Sequence, residues 1–509
     1  MPKTNQLLLI GLDAADPVLI KSWIEDGTLP NLASLKKSGT YGRLNTSAKF
    51  LAGSPWPTFY TGGNPSQHGI YEEYQWCHEK LEFARPTSDW IPVSPFWRHL
   101  NDDVEVIAYD VPMTQDCRNS KGIEISGWAG HDNWAPPDAY PEGLLTKIAH
   151  QFGTWPMIPE AFGHASIDNL LELSEHLFEN TARSTELALW LLKHPWNFAI
   201  IVFGALHRAS HRLWDRSSIE GNFTEDKGAL FDRALRRIYV ACDDAIGQIV
   251  ASNPEATAMV FSLHGMMTNT SRVDFLEEML ARILTGKISS SFHAGLFRRI
   301  GEALPNAWRR SVTTHLPHRF RNRLMTMWTT SGIDWEKIPA FSLRADLQGY
   351  VRINLKGREP HGIVSPGRDY YDLCIQIADG LMSFRDASTG QPLIEEVCHT
   401  DQLYGDGDKR DRLPDLIVRW KDTPAIVNSA IESPHFGSIT RKTPGRIPNG
   451  RSGNHRPEGF LIAYGKGIPA GKQLQKNPDI IDLAPTILHY LGAHTSLSLS
   501  GKLISELTC

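Results

Sequence analysis

The chain has 509 residues, 41% of them hydrophobic and 21% charged, with a formal net charge of −5. That is ordinary globular usage, enough for a sizeable core in several domains or in one large α/β domain with insertions. The mild negative charge gives no basic field to hold nucleic acid, and the six cysteines (Cys77, Cys117, Cys242, Cys374, Cys398 and Cys509) include no CxxC pair and are too sparse for a disulfide framework.

Leu7 to Leu12 is an apolar run too short for a signal segment or a membrane span. It predicts a strand buried on both faces, as in a parallel sheet. Asp13 then stands at the carboxyl end of that strand, where open α/β sheets place their ligands. Asp16-Pro17 reads as a helix start, with Leu19, Ile20 and Trp23 behind it. Ser54 precedes a second, Pro-rich helix start, a place where a hydroxyl meets unpaired backbone N–H groups and the positive end of the helix dipole. Further strands are predicted at 104–109, 197–203, 257–262, 416–418 and 459–464, with helices at 174–193 and 227–253 between them. Alternating strand and helix predict an α/β fold, a mostly parallel central sheet flanked by helices. Residues 275–335, rich in arginine and aromatics, read as a helical cap or insertion between a first core part at 1–274 and a second at 336–509. No segment reaches the length of a membrane helix, so a cytoplasmic protein is expected, monomeric or a homo-oligomer.

Polar residues that directly follow buried strands line sites. Asp13, His207, His211 and His264 follow strands, and His455 precedes one. His207 and His211 are four apart, which puts both imidazoles on one helix face and suits zinc or a similar ion with a third ligand from elsewhere.

The order of these pieces resembles the alkaline phosphatase superfamily, closest to its type I phosphodiesterase/nucleotide pyrophosphatase branch. The carrying residues are Gly11-Leu12-Asp13, the run TGGNPSQHGI at 61–70, Ser262-Leu263-His264-Gly265-Met266, NLKGREP at 354–360, Gly453-Asn454-His455-Arg456-Pro457-Glu458-Gly459 and DLAPTIL at 482–488. The resemblance spans most of the chain outside 275–335. The sulfatase branch fits poorly, because Trp56 and Thr58 stand at the Pro and Arg positions of its C/S-x-P-x-R pattern.

The resemblance implies a phosphoester hydrolase that uses a serine or threonine nucleophile, a phospho-enzyme and two metal ions, often zinc, with manganese or iron as other choices. Carried over, one ion falls to His207, His211 and His455. The other falls to Asp13, Ser54, His264 and position 263. Two departures follow. His207 stands where the family usually has Asp, and Leu263 replaces an Asp ligand with a side chain that binds no metal. The second position is then served by water, by a substrate oxygen or by a neighbour such as Asn269, or it stays empty. Ser54 is the expected nucleophile, although Ala52 falls at the ungapped family position and Thr58 is a further hydroxyl in reach. Arg208, Lys356, Arg358 and Arg456 are candidates to neutralise phosphate. The alternatives are a one-metal group-transfer enzyme acting on a specialised metabolite and a non-catalytic relative that binds metal or ligand.

Overall fold

In the computed structural model, residues 6–114, 116–117, 122–129, 136–156, 163–286, 334–441, 445 and 449–507 are described. The apolar run at the start forms the Leu7–Leu12 strand at the heart of a nine-stranded sheet. Strand geometry sends successive side chains to opposite faces. Leu8, Ile10 and Leu12 accordingly join one apolar layer, and Leu7 and Leu9 join the other. The neighbouring Phe198–Phe203 strand divides in the same way, with Ala199, Ile201 and Phe203 on the first layer and Phe198, Ile200 and Val202 on the second. Both strands are buried on both faces, so they read as unbroken apolar runs.

The strand order across the sheet is Lys472–Gln473, Thr40–Asn45, Glu458–Tyr464, Thr257–Ser262, Leu7–Leu12, Phe198–Phe203, Val106–Tyr109, Ile123–Ser126 and Asp138–Tyr140. The central pairings are parallel. Glu458–Tyr464 runs antiparallel to both its neighbours, and Asp138–Tyr140 closes the far edge antiparallel. The long helices Ile167–Leu191 and Glu225–Ala251 cover one face through residues such as Leu177, Leu187, Ile238 and Ile246. Helices Pro55–Thr61 and Leu483–Leu491 cover the other through Phe59, Tyr60, Ile487 and Leu491.

The predicted strand at 416–418 exists, as Leu416–Trp420, but belongs to a separate sheet. That sheet is antiparallel, ordered Ala340–Leu343, Gly349–Ile353, Leu416–Trp420, Ile394–His399. Its apolar run misleads because a short buried strand looks the same in either kind of sheet. Helices Val273–Thr285 and Arg368–Met382 pack on it through Phe275, Leu276, Met279, Ile377 and Leu381. The opening helix of the 275–335 segment is thus part of this second core. Residues 287–333 lie outside the described residues.

The NLKGREP run supports this sheet by a buried ion network. Arg352 Nε lies 2.7 Å from Glu359 Oε1, and Arg358 donates to both Asp415 oxygens at 2.8 and 2.7 Å. Burial alone would raise the Asp415 pKa, but Arg358, Arg352 and Arg410 outweigh it and hold the carboxyl well below the usual range. Arg358 is therefore paired with Asp415 inside this second sheet. Among the described residues, Lys356 reaches Ser365 Oγ at 3.4 Å. No described helix is long and apolar enough to cross a membrane.

Candidate metal centre

The Phe198–Phe203 strand passes through Gly204 straight into the Ala205–Arg212 helix. This turn delivers His207 and His211 to one helix face at the carboxyl edge of the sheet, beside Asp13. A short ribbon completes the set. Gly265–Thr268 pairs antiparallel with Gly453–Arg456, Met266 opposite His455, so that His264 and His455 stack with ring centroids 4.5 Å apart. Gly453 lets the ribbon press against the helix, since a Cβ there would come within 2.1 Å of the Ser210 carbonyl oxygen.

Four imidazoles from three parts of the chain thus converge. His207 Nε2 lies 3.0 Å from His211 Nε2 and 3.2 Å from His455 Nε2. The opposite ring nitrogens face acceptors. His211 Nδ1 is 3.0 Å from Gly453 O, and His207 Nδ1 is 2.8 Å from Asp13 Oδ2. A neutral imidazole that donates from Nδ1 presents a bare lone pair at Nε2. Two such lone pairs 3.0 Å apart repel, unless a cation lies between them. A tetrahedral zinc site with Zn–N of about 2.0–2.1 Å separates its ligand nitrogens by roughly 3.3 Å. The donor set therefore fits a divalent metal. Ligand atoms of His207, His264 and His455 all fall within 4.8 Å of one another, as do those of His211, Asp346 and His455.

Burial favours the neutral form of two of these imidazoles, His211 and His264. It pushes His211 well below the ordinary histidine value, with help from Arg451, His207 and His455. Burial lowers His264 to about 4 against the opposing pull of Asp13.

Asp13 stands behind His207. One oxygen orients that ring, and the other accepts from Trp56 Nε1 at 2.8 Å, with His264 Nε2 3.8 Å away. A carboxylate on the far nitrogen of a ligating histidine fixes its tautomer and raises its basicity. Leu263 is 1% exposed and packs with Trp56 and Phe261 in the apolar layer. The position that the family pattern gives to a second ion is thus flanked by a leucine and an indole.

The hydroxyls form a chain of their own. Ser54 is fully buried, with helical backbone angles and no capping bond. Its oxygen lies 2.7 Å from both Leu51 O and Ser47 Oγ. Ser47 Oγ is 3.4 Å from Thr58 Oγ1, which is 3.1 Å from His68 Nε2. His68 Nδ1 accepts from the Ile70 N–H, so Nε2 carries the proton and donates toward Thr58. The Ser54 hydroxyl thus bonds within its own loop and not to the imidazoles.

The remaining expected residues are placed as follows. Asn269 is fully buried, accepts from Ser271 N and donates to Arg451 O, so it braces the Arg451 loop. Arg456 is paired with Asp16, the cap of the Pro17–Glu25 helix, at 2.7 Å. Arg208 is half-buried beside His207. Two residues absent from the expected ligands join the centre. Asp346 Oδ2 lies 3.7 Å from His211 Nε2, and Arg451 Nη1 lies 3.4 Å from the same nitrogen. Arg451 was visible beside the Gly453–Gly459 motif. Asp346 carried no spacing signal, since it comes from a turn in the other sheet.

The sequence profile of the type I phosphodiesterase / nucleotide pyrophosphatase family matches residues 7–434. The chain belongs to that family. Membership makes it a phosphoric ester hydrolase with an alkaline-phosphatase-like fold. Among solved structures, phosphonoacetate hydrolase from Sinorhizobium meliloti 1021, in complex with phosphonoacetate, shares the fold at 12% identity and TM-score 0.50, covering 96% of this chain and 95% of that one. Murine ectonucleotide pyrophosphatase / phosphodiesterase 5, an inactive variant in complex with AMP, aligns at 12% identity and TM-score 0.49 over 99% of this chain and 100% of that one. No curated protein matches in sequence.

Proposed function

We propose that this family member hydrolyses small phosphate esters, diester or monoester, through a serine nucleophile and a phospho-enzyme, with one divalent ion at His207, His211 and His455. The observation that carries the reading is the convergence of three Nε2 atoms at 3.0 and 3.2 Å, two of them with their Nδ1 committed to acceptors. An imidazole-rich set suits Zn2+, with Mn2+ or iron as alternatives. When bound, the ion supplies Lewis-acid stabilisation of the charge that develops on phosphoryl and leaving oxygens.

The chain's own residues do the rest. Asp13 holds the His207 tautomer, and Gly453 O holds that of His211. Ser54 Oγ gives up its proton through Ser47 toward solvent and bonds to phosphorus as the bond to the leaving oxygen breaks, that oxygen taking a proton from water. Water then breaks the Oγ–P bond and regenerates the serine. Ser47, the partly exposed hydroxyl 2.7 Å away, links Ser54 to the surface of the site. A cytoplasmic location fits the five described cysteines, all unpaired thiols.

The test is a zinc-loaded assay on an aryl phosphodiester and an aryl phosphomonoester, quenched early, with the 47–58 segment mapped for phosphate. Phosphate on Ser54 is expected. Phosphate on Ser47 or Thr58 would reassign the nucleophile, and absence of hydrolysis with both esters would overturn the reading.

A further inference from the structure

Three neutral imidazoles leave the charge of a divalent ion uncompensated, and a carboxylate beside them would bind it more tightly. Asp13 has one oxygen on His207 and the other on Trp56, and Leu263 contributes nothing. Among the described residues, the acidic side chain whose ligand atom groups with those of His211 and His455 is Asp346.

We infer that Asp346 supplies the anionic ligand of the metal centre and that Arg451 occupies its carboxylate until an ion enters. The inference rests on the metal reading proposed above. Asp346 Oδ2 is 3.7 Å from His211 Nε2, within a few tenths of an ångström of the roughly 3.3 Å expected between ligands of one tetrahedral ion. Its other oxygen, Oδ1, is 2.5 Å from Arg451 Nη1, and that same nitrogen is 3.4 Å from His211 Nε2. A guanidinium nitrogen therefore touches both an imidazole lone pair and the carboxylate, the two partners a metal ion would take.

The backbone around Asp346 is pinned while its carboxylate is not otherwise engaged. Its carbonyl accepts from Asn454 Nδ2 at 3.0 Å, next to His455. Its N–H meets Glu72 Oε1 at 3.4 Å. Two residues on, Gln348 Nε2 bonds the carbonyls of Ala48 and Lys49 at 2.9 and 3.0 Å. The side chain is 20% exposed and that of Arg451 26%, so Arg451 has room to swing out as an ion enters. The ion then ties the antiparallel sheet that carries Asp346 to the parallel sheet that carries His207 and His211. This carboxylate stands in for the one absent at position 207.

Cobalt binding to the full-length protein tests the inference, read by titration calorimetry and by the visible d–d bands. Wild type is expected to bind one Co2+. D346N should keep that stoichiometry, bind at least tenfold more weakly and show shifted bands, and D346E should recover most of the affinity. R451Q, which removes the competing cation, should bind more tightly than wild type. Wild-type affinity and bands in D346N would overturn the role of Asp346 while leaving the histidine centre intact. If D346N fails to fold, a D346E protein that folds yet binds no better than a His211→Ala variant would overturn it instead. Absence of Co2+ binding by wild type would overturn the metal centre, and Asp346 with it.

Discussion

Trp56 donates its indole N–H to Asp13, 2.8 Å from Oδ1, at the carboxyl end of the central strand. That N–H occupies an oxygen which the family pattern offers to a second ion, and Leu263 lies in the same apolar layer as the indole. A neutral pair at this position predicts a centre that holds one ion.

Leu263→Asp should expose this directly. A carboxylate buried at that position without a partner costs on the order of 3 kcal/mol. Zinc should recover much of that stability, and the zinc content should rise from one to two equivalents in L263D combined with Trp56→Phe. Melting with and without zinc, together with elemental analysis, checks this. A content that stays at one in the double variant would count against the placement of the second position.

Ser54→Ala should lower steady-state hydrolysis by roughly three orders of magnitude or more, as loss of a nucleophile does elsewhere. Because the Ser54 hydroxyl bonds only within its own loop, the variant should fold normally and keep its metal. Full activity in S54A would remove Ser54 from the role.

Gly453→Ala drives a methyl group to 2.1 Å from the Ser210 carbonyl, so either the strand or the helix must move. The expected result is metal affinity weakened about tenfold or more with only partial loss of stability, because His211 and His455 sit on the two elements forced apart. Metal titration and thermal melting separate the two effects. Unchanged affinity would show that the close approach is not needed for the centre.

The pH dependence follows from burial. His264 falls to about 4 in the folded chain, whereas a free histidine titrates near 6.5. Between those values the unfolded chain binds more protons than the folded one, so stability without metal is lost as pH falls from about 6.5 toward 4. His264→Gln removes that term, and its melting temperature should decline less than that of wild type over the same range. Parallel declines would contradict a buried neutral His264.

Arg358→Ala should act as a fold lesion. It leaves Asp415 fully buried with its closest cation gone, a loss of about 3–5 kcal/mol. Denaturant unfolding should show that loss, while KM for an aryl phosphate in the surviving folded protein stays near that of wild type. An increase in KM with stability intact would return Arg358 to the phosphate site.

The parts of this site that the chain spells out locally were legible from sequence. Apolar runs located the central strands, and polar residues beside them located Asp13, His207, His211 and His264, because parallel strands bring their carboxyl ends to one edge, while His455 reaches the same edge at the start of an antiparallel strand. The pairing of 264 with 455 needed the Gly265–Thr268 ribbon, and that depends on register between segments far apart in the chain. Asp346 depends on how a second sheet docks. Trp56 carried no site signal, since nothing in its sequence neighbours tells that its N–H reaches Asp13. Arg358 looked free because its partner Asp415 is 57 residues away in sequence.

The most direct test of the central claim is a crystal of the zinc-soaked protein, measured on both sides of the zinc absorption edge. One anomalous peak is expected, within bonding distance of the Nε2 atoms of His207, His211 and His455. A peak elsewhere, or none with the four imidazoles well ordered, would contradict the metal centre on which the proposed hydrolysis rests.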